Sequence, residues 1–148
     1  MNKEINIRLM KKDDISDVAN IEKQCFSVPW SEKSFEESLQ QSYAVFFVAE
    51  LQGEIVGYVG MYNMAGQCDI TNVAVAGVHR RKGIGRKLLE AVEHYAVANQ
   101  VSAIALEVRE SNEAAVGLYE LMQYKNVGIR KNFYEKPNEN AIIMIREL

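Results

Sequence analysis

Apolar residues follow two different periods along the chain, and the switches between the periods outline its secondary structure. Residues 4–9 alternate polar and apolar side chains, which is typical of a strand. Apolar residues then recur at helical spacing, at Ile15, Val18, Ala19 and Ile21. Asp13 or Asp14 stands directly before this run and could cap its first turn. We therefore predict a strand followed by a first helix.

A second helix is predicted from residue 32 to about residue 39. Ser31 precedes it and is a favoured N-cap residue, because its hydroxyl can accept a hydrogen bond from the first turn. Trp30 and Phe35 stand at the two positions of a hydrophobic staple, which fixes the direction in which the chain enters the helix.

The middle of the chain has strand character. Residues 43–50 and 55–62 are apolar runs separated by Leu51-Gln52-Gly53-Glu54, which predicts a hairpin. Residues 68–75 form a further predicted strand.

The rest of the chain alternates between the two periods. A helix from about residue 83 to residue 99 has one apolar face, and residues 101–109 read as a strand. Ser111 or Asn112 caps another helix, with Ala115, Leu118, Tyr119 and Met122 on one side. Residues 125–131 and 141–147 close the chain as two strands. The order β-α-α-β-β-β-α-β-α-β-β predicts an α/β (α+β) fold, with one mixed, mostly antiparallel sheet and helices on both faces.

Composition limits the class of protein. The chain has 148 residues, of which 48% are hydrophobic and 25% charged, and it shows no linker, so we expect one globular domain over residues 1–148. The start lacks the apolar core of a signal peptide, and no window approaches 18 apolar residues. Cys25 and Cys68 have no metal-ligand spacing with His79 or His94, which favours reduced thiols and no metal site. We expect a cytoplasmic protein without a membrane partner.

Charge separates one segment from the rest. The net charge is −3 and the pI is near 5.5, which argues against general nucleic-acid binding. The basic residues nevertheless cluster around two glycines, Gly83 and Gly85, in the segment Arg80-Arg81-Lys82-Gly83-Ile84-Gly85-Arg86. A glycine-punctuated turn that opens a helix presents unpaired amide groups and binds phosphates. The alternative is an ordinary helix start with a solvated basic face.

Longer motifs favour the phosphate-binding interpretation of this turn. The element order, with R-x-x-G-x-G after the fourth strand, resembles the Gcn5-related N-acetyltransferase (GNAT) superfamily over nearly the whole chain. Within it, the chain is most similar to the bacterial RimI-type enzymes, which acetylate the N-terminal alanine of a small-subunit ribosomal protein. The matching segments are Val28-Pro29-Trp30-Ser31, Asn72-Val73-Ala74-Val75, Leu106-Glu107-Val108-Arg109-Glu110-Ser111-Asn112, Ala115, Leu118-Tyr119-Glu120, Arg130, Tyr134 and Ala141-Ile142-Ile143-Met144.

The resemblance implies acetyl-coenzyme A as the co-substrate. Its pyrophosphate would lie on the amides of residues 81–86, and its pantetheine arm would pair with the backbone of Val73 and Val75. The residues implied to bind it are Val73, Ala74, Val75, Arg80, Arg81, Lys82, Gly83, Ile84, Gly85, Arg86, Asn112 and Tyr119.

Acetyl transfer to an amine needs a base, a polarised carbonyl and an acid for the leaving thiolate. The resemblance makes Glu107 the base, although a surface glutamate in a strand ladder with Arg109 is the alternative. It makes Tyr119 the acid, where the helical pattern alone favours a core aromatic. The amide of Val75 would polarise the acetyl carbonyl.

Trp30, Arg130 and Tyr134 are the candidate acceptor-binding residues. Trp30 is explained equally well by the hydrophobic staple. The implied partner is the N-terminal peptide of a ribosomal protein, bound by a monomer without direct nucleic-acid contact.

Three departures from the family pattern affect the acceptor side. Gln123 stands where a left-handed glycine is usual, Gly117 lies within a helix, and Asn140 replaces the usual acidic residue. Two other functions stay open: acetylation of a small amine, and acyl-coenzyme A binding without catalysis.

Overall fold

Within residues 4–80 and 82–148, which are the residues that the structure describes, the computed structural model contains seven strands and four α-helices. The strands are β1 (Ile5–Leu9), β2 (Ala44–Leu51), β3 (Glu54–Met64), β4 (Gln67–Val75), β5 (Ala103–Arg109), β6 (Lys125–Tyr134) and β7 (Glu139–Glu147). The helices are α1 (Ile15–Cys25), α2 (Glu32–Leu39), α3 (Ile84–Ala98) and α4 (Glu113–Leu121). Arg81, one of the predicted cofactor residues, lies outside the described residues.

The strands form one sheet in the order β1-β2-β3-β4-β5-β7-β6. Neighbouring strands are antiparallel except β4 and β5, which are parallel. This confirms the predicted element order and the mixed, mostly antiparallel sheet. The last hairpin is tighter than predicted, because Tyr134 pairs with Glu139 and extends both strands toward the turn.

The helices cover both faces of the sheet, as predicted. Apolar residues of α1 and α2 pack with one face, around the fully buried Phe35 and Tyr58. Apolar residues of α3 and α4 pack with the other, around Leu88 and Leu89. Both cores include buried side chains of β4, and the second also includes those of β5, so packing on the two faces holds these central strands in place.

The parallel strands β4 and β5 stay paired over a short distance only. The paired residues are Gln67 with Ala103, Cys68 with Ile104 and Asp69 with Ala105. Beyond Asp69 the two strands are no longer paired, and a cavity lies between them. The edge of β4 that faces this cavity is left without a strand partner.

A β-bulge at Thr71 changes which way β4 presents its side chains. Gly60 of β3 pairs with Asn72 and Met61 pairs with Ile70, so Thr71 has no opposite residue. Before the bulge, Ile70 packs in the core with α3, whereas beyond it Ala74 packs in the core with α1 and α2. Asn72 is therefore turned toward α1, which the sequence pattern did not reveal.

The predicted caps had mixed outcomes. Ser31 Oγ accepts a hydrogen bond from Ser34 N at 3.1 Å, and the Trp30 and Phe35 ring centroids are 5.2 Å apart, which confirms the cap and the staple. Asp14 holds the N-cap position of α1, but the prediction that it caps this helix is wrong. Its carboxylate instead accepts from Lys11 N and pairs with Arg8 at 2.8 Å, and that pairing lowers the pKa of Asp14.

Two of the predicted departures lie within α4 and just after its end. Gln123 has a φ of 74°, in the left-handed region, a conformation that costs a non-glycine residue about 1 kcal/mol. Gly117 lies within α4, where a Cβ would meet open space. An alanine would therefore fit at position 117.

Candidate active site

The cavity between β4 and β5 has a volume of about 420 Å³. β4 and β5 form two of its sides, the loop after α1 a third, and the end of the β6–β7 hairpin a fourth. The candidate residues that border it are Trp30, Val73, Glu107, Asn112, Tyr119 and Tyr134. The fold thus brings together residues from five separate parts of the chain, since Asn112 and Tyr119 belong to α4 and its N-cap.

Main-chain groups of β4 point into this gap. Ala76 N donates a hydrogen bond to Val56 O at 2.8 Å. Because alternate residues of a strand direct their polar groups to opposite sides, the N–H and C=O groups of Val73 and Val75 point away from β3. They form an edge without a strand partner, to which an extended amide-bearing chain can add. On this edge, Val75 O accepts from the side chains of Arg80 and Cys25.

The turn before α3 supplies a second set of unpaired amides. Gly83 is the N-cap residue of α3 and has a φ of 77°, which favours glycine. The first intrahelical bond runs from Lys87 N to Gly83 O at 3.1 Å, so the N–H groups of residues 84–86 have no helical partner. Gly85 lies inside the helix, and a Cβ there would make an ordinary 3.4 Å contact with Leu118. The special backbone conformation therefore belongs to Gly83 and not to Gly85.

The basic side chains near the turn lie in different environments. Arg80 Nε donates to Val75 O at 3.3 Å, and its Nη2 approaches Cys25 Sγ at 3.3 Å. Lys82 Nζ lies 3.4 Å from His79 Nδ1, and Arg86 lies 3.9 Å from Glu90 on the exposed face of α3. These long, exposed side chains can turn toward a phosphate without disturbing the core.

Glu107 projects from β5 into the cavity and is half-buried. Its partner is Arg130 of β6, with Nε and Oε2 3.4 Å apart. The alternative in which Glu107 pairs with Arg109 is wrong, since Arg109 bonds elsewhere. A carboxylate held at the cavity wall by one exposed arginine keeps an oxygen free for a proton acceptor role.

Tyr119 is both a core residue and a cavity residue. Its side chain is 8% exposed and packs against Tyr124, with ring centroids 5.9 Å apart. Its hydroxyl makes no hydrogen bond to any residue in the described part of the chain. Burial, with a smaller contribution from Tyr134, raises the pKa of Tyr119 to about 12. The phenol is therefore a protonated donor throughout the physiological range.

Asn112 begins α4 at the edge of the cavity. Its Oδ1 accepts from Ala115 N at 3.2 Å and so caps the helix, which confirms one of the two predicted caps. This leaves the Nδ2 group available to donate to a ligand.

Arg109 fastens the β6–β7 turn to the end of β5. Its guanidinium donates to Pro137 O at 3.0 Å and Glu135 O at 2.8 Å, and it pairs with Glu139 at 3.1 Å. The same group lies over the Tyr134 ring, 4.5 Å from the centroid. The Tyr134 side chain is held at the cavity by these contacts, and burial raises its pKa to about 12.

The chain matches the model of the acetyltransferase (GNAT) family over residues 15–124. It is 35% identical over 139 residues to a protein of Bacillus subtilis (strain 168) provisionally named [ribosomal protein bS18]-alanine N-acetyltransferase, covering 93% of this chain and 92% of that relative. The chain belongs to the GNAT family. It is accordingly an N-acetyltransferase, as the motifs indicated.

Solved structures of GNAT proteins share this fold. The crystal structure of the ribosomal-protein-S18-alanine N-acetyltransferase from Escherichia coli superimposes with a TM-score of 0.91 at 30% identity, covering 97% of this chain and 94% of the other. Arabidopsis thaliana NAA60, crystallised with acetyl-CoA, has the same fold with a TM-score of 0.87 at 18% identity, covering 98% and 99%.

Glu22 also borders this cavity, and the sequence analysis did not identify it. It lies on the inward face of α1, is 2% exposed and borders the cavity. Its position was visible in the sequence, because residues 15, 18, 19 and 22 share one helix face, and a carboxylate on an otherwise apolar face needs an explanation.

The described residues contain no metal cluster and no membrane-spanning helix. Among the described residues, no group of three or more His, Cys, Asp and Glu side chains is placed to hold a metal ion. Over the same residues, no helix has the length and apolar character needed to cross a membrane.

Proposed function

We propose that this enzyme transfers the acetyl group of acetyl-CoA to the N-terminal alanine of a small-subunit ribosomal protein. The observation that carries the proposal is the meeting of Glu107, Tyr119 and the free edge of β4 in one cavity. The names of the relatives support the choice of acceptor. We further propose that residues 1–148 act as one monomeric domain in the cytoplasm, without nucleic acid or a membrane.

The chain offers groups that match acetyl-CoA along its length. The outward main-chain groups of Val73 and the N–H of Val75 suit the amides of a pantetheine arm, with Ala74 between them, while Val75 O accepts from Arg80. The amides of residues 84–86, behind Gly83, suit a pyrophosphate, and Arg80, Arg81, Lys82 and Arg86 add positive charge. Asn112 would donate from its free amide nitrogen. Acetyl-CoA, when bound, supplies an activated acetyl thioester next to these residues.

Glu107 is the proposed general base. An N-terminal amine has a pKa of about 7.7–8, so its deprotonation at pH 7 requires roughly 1.4 kcal/mol or less. A carboxylate that acts directly or through one water is sufficient for this proton. Arg130 pairs with this carboxylate from the exposed side of the sheet, at 3.4 Å.

Tyr119 is the proposed general acid. It would donate its phenolic proton to the departing thiolate, and its hydroxyl is not engaged by another described residue. Because its pKa is raised to about 12, the transfer is more uphill than it would be from a tyrosine in water. The raised value also means that the acid stays protonated well above neutral pH. The amide of Val75 would polarise the acetyl carbonyl.

The acceptor assignment is tested by substrate competition. An alanine-starting peptide with basic residues behind it should exceed spermidine, free amino acids and an N-terminally blocked lysine peptide in kcat/KM by at least roughly tenfold, about 1.4 kcal/mol. The physical reason is that a lysine amine, with a pKa of about 10.4, is far less often neutral. A preference for spermidine would instead support the small-amine function, and absence of turnover with every amine would support acyl-coenzyme A binding alone.

A further inference from the structure

The Glu22 carboxylate is held in a fixed position behind the acceptor side of the cavity. It accepts hydrogen bonds from the Tyr58 hydroxyl of β3, from Asn72 Nδ2 of β4 at 3.4 and 3.5 Å, and from Trp30 N at 3.0 Å. The bulge at Thr71 is what turns Asn72 toward it. The carboxylate is thus oriented by three separate elements.

All three of these donors are neutral. The other carboxylates around the cavity have cationic partners: Glu107 pairs with Arg130 at 3.4 Å, and Glu139 pairs with Arg109 at 3.1 Å. Within residues 4–80 and 82–148, no Lys, Arg or His nitrogen comes within 4.0 Å of the Glu22 carboxylate. A buried carboxylate without a cation is unfavourable. The negative charge of Glu22 is therefore left unbalanced on this side of the cavity.

We propose that Glu22 is the ammonium-binding subsite of the acceptor pocket. The acceptor enters as a protonated primary amine, and its charge is received by Glu22 from the α1 side, while Glu107 borders the same cavity from β5. Glu22 then binds and orients the amine, and Glu107 removes its proton. This inference rests on the proposed function for the identity of the acceptor, but its physical basis holds for any primary amine.

The test measures whether Glu22 recognises charge. The two probes are an alanine-starting peptide and its desamino analogue, in which the N-terminal amine is replaced by hydrogen. Trp30 is the single tryptophan of the chain and borders the cavity, so its fluorescence can report binding of both probes without turnover. The variants are E22Q, which removes the charge with little change in shape, and E36Q, a matched control on the exposed face of α2.

The wild type and E36Q should bind the charged peptide at least roughly tenfold more tightly than the desamino analogue, because a desolvated ion pair is lost with the analogue. E22Q should bring this ratio close to one. The variant Y58F removes one neutral donor and keeps the charge, so it should retain most of the preference.

If E22Q weakens the binding of both peptides equally, the proposal is overturned and Glu22 is a structural residue. A wild-type enzyme without any preference for the charged peptide would overturn it too. Should E22Q fail to fold, E22D keeps the charge on a shorter side chain and should show a reduced ratio; an unchanged ratio would contradict the proposal. If the wild type binds the alanine peptide without acetylating it, the proposed function fails, whereas the binding ratio still decides the role of Glu22.

Discussion

The cavity has two sides that are constructed differently. The cofactor side consists of residues 73–75 of β4 and residues 82–86 at the start of α3, and it presents main-chain N–H and C=O groups. The acceptor side consists of residues 26–30 after α1, Glu107, and residues 133–139 of the last hairpin. It is held together by side-chain contacts between distant parts of the chain, such as Arg109 with Glu139 and Glu22 with Asn72.

This difference predicts where the two sides tolerate change. A main-chain site depends on backbone conformation, so most side-chain substitutions leave it intact and few positions are critical. A side-chain site changes when one partner of a pair is replaced, because the other is then left unpaired. We therefore expect acceptor preference to diverge among GNAT enzymes more readily than cofactor binding.

The largest effect is expected at Tyr119, the proposed acid where the two sides meet. Tyr119→Phe should lower kcat by roughly 10²–10⁴-fold, the usual contribution of one proton-transfer group. Affinity for acetyl-CoA should change little, because only the hydroxyl is removed from a packed ring. Steady-state kinetics together with calorimetric titration of acetyl-CoA measures both quantities.

Tyr95→Phe is the matched control, since it removes a hydroxyl from α3 that bonds to Asn63, away from the cavity. Near-wild-type turnover of the Tyr119→Phe variant would leave this tyrosine a core residue only.

A smaller effect is expected at Gly83, on the cofactor side. Gly83→Val places a β-branched residue at a φ of 77°, so the turn must change its conformation and the amides of residues 84–86 lose their common direction. Affinity for acetyl-CoA should fall roughly 10- to 100-fold, in line with a strain of about 1–3 kcal/mol. Calorimetry on the folded variant measures the change.

Gly53→Val is the control for this variant. Gly53 has a φ of 81° in the hairpin turn between β2 and β3, and a Cβ there also meets open space. It should lose similar stability and keep full cofactor affinity. Equal affinity in the Gly83→Val and wild-type proteins would contradict the assignment of the turn.

Local features of the chain were predicted from the sequence better than contacts between elements. Ser31, Gly83 and Asn112 act locally, and each was recognised because caps and left-handed turns depend on neighbouring residues alone. The seven strands and four helices followed from periodicity for the same reason.

Contacts between residues of different elements were not predictable in this way. Asp13 or Asp14 was expected to cap α1, but Asp14, which holds the N-cap position, bonds to Arg8 on the preceding strand. The bulge at Thr71 leaves no periodicity signal because the residues around it remain alternately buried, and it decides that Asn72 reaches Glu22. A pairing of Arg109 with Glu107 was the alternative for Glu107, but Arg109 pairs with Glu139 of the last hairpin instead. Each outcome depends on which elements meet in space, and spacing along one element does not contain that information.

The smallest expected effect, and the one most specific to mechanism, is the pH dependence of Glu107→Gln. At pH 7 only about a tenth of an N-terminal amine with a pKa near 8 is neutral, so loss of the base should lower kcat/KM roughly tenfold. Above the amine pKa the acceptor arrives already deprotonated, and by pH 9.5 the variant should approach the wild type. Titration of Tyr119 does not contribute to the pH profile in this range, because its pKa of about 12 keeps it protonated there.

The measurement is kcat/KM from pH 7 to 9.5 for both proteins, with Glu110→Gln, an exposed neighbour on the same segment, as the control. A loss that stays constant over this range would mean that Glu107 positions the acceptor together with Arg130 and does not take its proton. In that case the acceptor side of the cavity would serve binding alone.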